Sequence, residues 1–145
     1  MPFIEFAVAE RQEFGALAEA GFVFDWTGSS STRSLVVGTI HDGDISGLVE
    51  FEHRPEGRYS FLWLIEVADK YKGGSVAGEL LAYVGRDSLV QGFEGFVLLE
   101  AKTKLFHYFQ LKYGAKPARG RYLFFDTEAT HRLIARYLGG DGDGA

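Results

Sequence analysis

The stretch Tyr71-Lys72-Gly73-Gly74-Ser75-Val76-Ala77-Gly78-Glu79-Leu80-Leu81 decides how this chain is read. An apolar, strand-like run from Phe61 to Val67 precedes it, and a helix-like run from Val76 to Val90 begins within it. Strand, small-residue turn and helix together build an anion site. The first backbone N–H groups of a helix lack an intrahelical acceptor, and the helix dipole places partial positive charge there. A pyrophosphate can rest on those donors when no side chain blocks the approach. Gly73, Gly74, Ser75 and Ala77 keep it open, because glycine has no Cβ and admits positive φ. The stretch is neither the dinucleotide fingerprint G-x-G-x-x-G nor a P-loop, which ends in Gly-Lys-Ser/Thr. Read alone, it serves equally as a helix start whose small residues allow tight packing.

The rest of the chain narrows the choice. Its 145 residues suit one domain with one sizeable core, and 46% hydrophobic content means burial is not limiting. Thirteen Phe and seven Tyr point to a strand-rich interior. The net charge of −5 argues against nucleic acid as the main partner, because phosphate binding needs a basic face. With no cysteine there is no disulfide, thiolate nucleophile or Cys-type zinc site. No apolar run approaches ~18 residues, so no membrane span is expected. The N-terminus lacks a basic segment followed by an apolar core, so no signal peptide is expected and the default location is cytoplasmic. The oligomeric state is open, a homodimer included.

Along the chain, Val8, Phe14, Leu17 and Ala18 mark residues 8–20 as an amphipathic helix ending at Gly21. Phe22 to Trp26 is a short apolar stretch, read as a strand, and Thr27 to Thr32 a loop. Ser34 to Ile40 and Ile45 to His53 form two strands about an Asp42-Gly43-Asp44 hairpin turn. Tyr59 to Val67 is a third strand, apolar enough to be covered on both faces. The helix from Val76 follows, then a strand at Phe93 to Leu99, a helix at Lys102 to Tyr113, a strand at Arg119 to Asp126 and a helix at Thr127 to Leu138. Residues 1–139 thus form one domain, with a Gly/Asp tail at 140–145 expected to be disordered. The unit from Tyr59 to Leu99 predicts a right-handed parallel crossover. The fold class is α/β (α+β): a mixed, mostly antiparallel sheet with a parallel splay and helices on both faces.

The ordered elements and the turn resemble the GNAT superfamily of acyl-CoA-dependent N-acyltransferases, from about Ser34 to Phe125. The family's central motif is Q/R-x-x-G-x-G/A. Its counterpart is Lys70-Tyr71-Lys72-Gly73-Gly74-Ser75, followed by Val76-Ala77 and Leu80-Leu81. The family's later strand and aromatic-x-x-x-Gly-Phe helix end correspond to Phe96-Val97-Leu98-Leu99 and to Phe106 to Tyr113, Gly114 and Ala115. The resemblance implies acetyl-CoA as donor; no metal is expected. Its pyrophosphate would lie on amides of Lys72, Gly73, Gly74, Ser75, Val76 and Ala77, within a turn that runs to Gly78. Its pantetheine arm would pair with the exposed backbone near Ile65 to Val67, where a bulge splays the strands. The acetyl carbonyl would receive a backbone N–H there.

Four departures from the family pattern matter. Lys70 replaces Gln or Arg, and Ser75 replaces Gly or Ala. Many members start the following helix with Asn and carry a Tyr that protonates the leaving thiolate. Lys102 or Thr103 fills the first place here, and Phe109 or Gln110 the second. Neither of the latter is an acid. Tyr108 lies next to that position, about 100° around the helix from Phe109.

Glu66, one residue from the expected splay, is the candidate general base, or else a strand-end carboxylate paired with Lys70 or Lys72. Lys102 and Lys104 flank a helix start, where cations do not favour the dipole, and either meet CoA phosphates or are solvated. Glu50 and Glu52 share one strand face. They line an acceptor groove for a cationic amine or, as the commoner case, form the solvated face of a hairpin. His41, His53, His107 and His131 show no metal spacing and read as surface residues. The expected activity is acetyl transfer to an unidentified amine by direct attack in a ternary complex. A GNAT-shaped module that binds CoA without turnover is the alternative. The acidic net charge favours a cationic acceptor through steering.

Overall fold

A computed structural model describes residues 3–12 and 14–139, so the tail expected at 140–145 lies outside the described residues. A seven-stranded sheet runs β1-β2-β3-β4-β5-β7-β6. Its strands are β1 (Phe3–Phe6), β2 (Ser34–His41), β3 (Asp44–Arg54), β4 (Tyr59–Val67), β5 (Val97–Glu100), β6 (Lys116–Pro117) and β7 (Tyr122–Phe125). Among the described residues only β4 and β5 pair in parallel, as the crossover through the intervening helix requires. The helices are α1 (Val8–Arg11), α2 (Val76–Val90), α3 (Thr103–Tyr113) and α4 (Thr127–Tyr137). The mixed, mostly antiparallel sheet with its single parallel pair is the expected fold class.

Alternation along the strands gives the sheet two covered faces. Val37, Val49, Phe51 and Leu62 face α2, α3 and α4, whose Leu80, Phe109 and Leu133 complete one core. Val36 and Leu48, their neighbours in sequence, face the other way and meet Phe22 and Trp26. Leu80 is fully buried. Truncating such a leucine to alanine costs about 2–5 kcal/mol. The β2–β3 hairpin turns at Asp42 (φ 52°) and Gly43 (φ 82°), both left-handed, as the Asp-Gly pair predicts.

Four expectations need correction. Residues 8–20 are not one amphipathic helix. After α1 the chain tightens into a 3-10 helix, Phe14–Ala20. Phe14, Leu17 and Ala20 recur every third residue and all pack on the second core, which matches three residues per turn rather than 3.6. Phe22 to Trp26 is not a strand, because the Val23 and Phe24 amides are taken by the Glu66 side chain instead of a strand neighbour. β5 starts at Val97 rather than Phe93, since Gly92, Glu94 and Gly95 adopt positive φ and Phe96 N–H turns back to the Phe93 carbonyl. β7 starts at Tyr122 because a turn through Gly120 (φ 61°) precedes it. The edge strand β1, paired antiparallel with β2, was not anticipated.

Candidate functional site

The site begins with an irregularity in β4. Opposite β3, Glu50 pairs with Leu64 and Phe51 with Leu62, so Trp63 is an extra residue and β4 bulges there. On its other edge β4 pairs with β5 only through Ser60–Val97, Phe61–Leu98 and Leu62–Leu99. Beyond that point β4 runs on from Trp63 to Val67 without β5, and β5 leaves for α3. Backbone groups on this edge have no strand partner, so a ligand can pair with them. Ile65 and Val67 pack towards α2, while Leu64 joins the opposite core.

One bank of the split leads through a 3-10 turn, Asp69–Tyr71, into the glycine turn. Gly73 has φ +84° and no atom within 4 Å of where a Cβ would stand. Ser75 is the N-cap of α2 but caps nothing; its hydroxyl donates to Glu79 Oε2 at 2.6 Å. The first amide of α2 with a helical acceptor is Glu79 N–H, bonded to Ser75 O at 2.9 Å. Among the described residues the amides of Val76, Ala77 and Gly78 have no acceptor. Those of Lys72 and Gly74 are already spent on Asp69 O and Tyr71 O, both at 3.3 Å. Among the described residues the Gly73 and Ser75 amides are likewise without an acceptor, so open donors run from the glycine turn into the first turn of α2. The Lys72 ammonium is exposed and bonded to Asp69 Oδ1 at 2.8 Å.

The other bank carries Lys102, the N-cap of α3, and Thr103, both exposed and without a side-chain cap. Phe109 is buried in the core, and Tyr108 beside it is half exposed. Lys112, whose ammonium sits 5.5 Å from the Tyr108 ring centre, draws the Tyr108 phenol below its usual range. Partial burial opposes this, and a hydrogen bond with Tyr113 adds to it. Burial raises the Tyr113 phenol, and its bond to Tyr108 adds to the rise.

Glu66 lies on the opposite face of the sheet from α2. Its Oε2 accepts from Val23 N–H at 2.7 Å, and Oε1 accepts from Phe24 N–H at 3.2 Å and the Trp26 indole at 2.8 Å. It is bonded to neither Lys70 nor Lys72, and no hydrogen bond links it to Tyr108 among the described residues. Glu50 and Glu52 are not a solvated hairpin face, as their sequence spacing had favoured, but are 1% and 3% exposed. Glu50 accepts from Ser30 N–H, Ser30 Oγ and Ser34 Oγ at 2.5–2.7 Å. Glu52 Oε1 accepts from the Trp63 indole at 2.8 Å and Oε2 from Arg54 Nε at 3.1 Å. Burial pushes the Glu52 carboxyl up, but hydrogen bonds from Ser31, Trp63 and Arg54 outweigh it and hold it at about 2.

These carboxylates fix the segment 23–34 as a wall beside the bulge. Arg11 holds it from the other side, donating to Trp26 O, Gly28 O and Ser29 Oγ. Arg11 and Arg54 escaped the sequence reading. For Arg54 a signal existed, because Glu50, Glu52 and Arg54 alternate on one strand face. The histidines are less peripheral than expected: His53 Nε2 is 2.5 Å from Asp87 Oδ2, and His41 Nδ1 is 2.6 Å from Ser46 Oγ. The described residues hold no metal-binding cluster and no helix long and apolar enough to cross a membrane.

The arrangement of strands and helices that carries this site recurs in solved structures. A GNAT-family acetyltransferase from Staphylococcus aureus Mu50 superposes with a TM-score of 0.63 at 15% identity, over 86% of this chain and 98% of that one. The chain has the GNAT fold. The ribosomal-protein-S18-alanine N-acetyltransferase of Escherichia coli shares the GNAT fold with it at a TM-score of 0.61 and 13% identity, over 84% and 89% of the two chains. So does a protein of Bacillus anthracis str. Ames assigned as a streptothricin acetyltransferase and solved with acetyl coenzyme A: TM-score 0.56, 14% identity, 67% and 64% covered. Neither a family model nor a curated protein matches the sequence.

Proposed function

We propose that this protein transfers an acetyl group from acetyl-CoA to an amine by direct attack in a ternary complex. The observation that carries the reading is the end of the β4–β5 ladder at Leu62 and Leu99, with a bulge at Trp63 and the open helix start at Val76 on the same bank. The pyrophosphate would take the amides of Val76 to Gly78 across Gly73 and Gly74, with the exposed Lys72, Lys102 and Thr103 as candidate further contacts. The pantetheine would pair with β4 between Ile65 and Val67. Solved relatives of this fold are acetyltransferases, one of them holding acetyl coenzyme A, which supports the same donor here.

In this reading the amine nitrogen attacks the thioester carbonyl carbon. A backbone N–H at the bulge stabilises the oxyanion, an effect worth about 3 kcal/mol. The C–S bond then breaks, the thiolate takes a proton and the amine loses one. Tyr108, its phenol made more acidic by Lys112, is the proposed proton donor. Glu66 keeps its place next to the split, but three donors already occupy its oxygens. We assign it to holding the wall at Val23–Trp26, with proton removal left to water in its neighbourhood.

A second reading has its own observation. The position where relatives of this resemblance carry an acid is a buried Phe109 or Gln110, so the chain could hold CoA without turnover. Thiol release from acetyl-CoA across a panel of amines, measured beside calorimetric titration with CoA, separates the two. Release above the blank supports transfer, and binding without release supports the module.

A further inference from the structure

The wall of segment 23–34 covers only part of its face of the sheet. Over β4, β5 and β7 that face is bare, with Trp63 36% and Tyr122 38% exposed. A groove of about 470 Å³ lies there, walled by Arg54, Phe61, Trp63, Leu98, Glu100 and Tyr122. That volume falls within the range of small-molecule sites. Trp63 is the bulge residue and Leu98 pairs with Phe61 in the last stretch of ladder, so the groove borders the point where the strands part.

Arg54 is held unusually well for a groove residue. Its guanidinium carbon lies 4.3 Å from the Phe61 ring centre and 5.7 Å from that of Trp63. Nε donates to Glu52 at 3.1 Å and Nη1 to Tyr59 Oη at 3.3 Å. Among the described residues Nη2 has no acceptor. A fixed, stacked guanidinium with free N–H groups is pre-organised for a planar carboxylate. Arg119 adds a second cation on the groove, paired with no carboxylate among the described residues, while Glu100, the one acidic wall residue, is already bonded to Arg121 at 3.2 Å.

We infer that the acceptor is a carboxylate-bearing amine with an aromatic body, of the size of an aromatic amino acid, its carboxylate on Arg54 and its ring against Trp63 and Tyr122. This rests on the acetyl-transfer reading and names the acceptor class of that site. It also places an anion locally where the net charge of −5 favours a cation globally. Contact decides over steering, because steering acts on encounter rate and is screened by salt.

The test pairs amines with and without the carboxylate: L-phenylalanine against phenethylamine, and L-tryptophan against tryptamine. Binding of each is titrated calorimetrically to the CoA-free protein, and thiol release from acetyl-CoA is followed separately. The inference expects each amino acid to bind at least tenfold tighter than its decarboxylated partner. Arg54→Gln should abolish that ratio. Arg54→Lys keeps a charge for the buried Glu52 but loses the fork, so it should fold and retain only part of the ratio. Equal or tighter binding of the decarboxylated amines, or an unchanged ratio in Arg54→Lys and Arg54→Gln, overturns the inference. Failure of acetyl-CoA to bind, with the amino-acid preference intact, instead removes the acetyl-transfer reading and leaves the anion-selective groove.

Discussion

Glu66 and Trp26, forty residues apart in sequence, are joined by a 2.8 Å hydrogen bond from the indole to Oε1. With the Val23 and Phe24 amides on the same carboxylate, this bond sets the position of the wall beside the β4 bulge. Glu66→Gln places an amide where only acceptors are wanted, so at least one donor loses its partner. Bonds to charged groups contribute about 1.5–3 kcal/mol each. The variant should lower the urea midpoint and raise KM for the amine more than it lowers kcat. A fall in kcat with unchanged KM and the loss of one limb of the pH–rate profile would instead make Glu66 the base.

Tyr108→Phe keeps the ring and removes the hydroxyl. If Tyr108 protonates the thiolate, kcat should fall roughly 10²–10⁴-fold while acetyl-CoA affinity stays the same. Steady-state kinetics across pH reads this directly. An unchanged kcat and profile assigns the proton to water.

Acid stability should depend on Glu52. Its folded carboxyl sits at about 2, below its ordinary value of 4.5. A depressed carboxyl contributes stability that is complete above the unfolded value and is lost as pH falls through the folded one. Wild type should therefore lose stability between about pH 4.5 and 2. Glu52→Gln should be less stable at neutral pH and show a flatter acid limb. Urea midpoints measured at intervals over that range check both, and parallel curves for the two proteins would remove Glu52 from the account.

Gly47→Ala tests how tightly α2 is seated. A Cβ at Gly47 would stand 2.6 Å from Val76 Cγ1 and 2.9 Å from Leu80 Cδ1, in the first turns of α2. Overpacking of this kind costs about 1–3 kcal/mol. The expected outcome is a lower Tm together with weaker acetyl-CoA binding, since the helix start must shift. A lower Tm with unchanged binding would uncouple the helix seat from the site.

The parts of the fold governed by local pattern were legible in the sequence. Asp42-Gly43 announces its hairpin, Gly73 and Gly74 announce the turn before α2, and the apolar run at Tyr59 to Val67 announces a strand, although the cover expected on both of its faces is incomplete at the exposed Trp63. The segment before β2 was not legible, because side chains far away in sequence shape it. Glu66 takes the amides that a strand at Phe22 to Trp26 would have used, and Arg11 reaches across to Gly28. Glu50 and Glu52 carry the pattern of a solvated hairpin, yet seryl, indole and guanidinium donors satisfy them in the interior. Their partners come from other elements, and spacing within one strand cannot register that. The same holds for the bulge at Trp63, which appears only when β4 is laid against β3.

The central claim is that acetyl-CoA binds across Gly73 onto the start of α2. Calorimetric titration of acetyl-CoA into wild type, Gly73→Ala and Gly73→Glu tests it most directly. Both substitutions share the strain of a side chain at φ +84°, so their difference isolates bulk and charge at the pyrophosphate. The account predicts binding by wild type, a modest loss in Gly73→Ala, and a further loss of at least tenfold in Gly73→Glu. Equal affinity in the two folded variants would contradict it and place the donor site elsewhere.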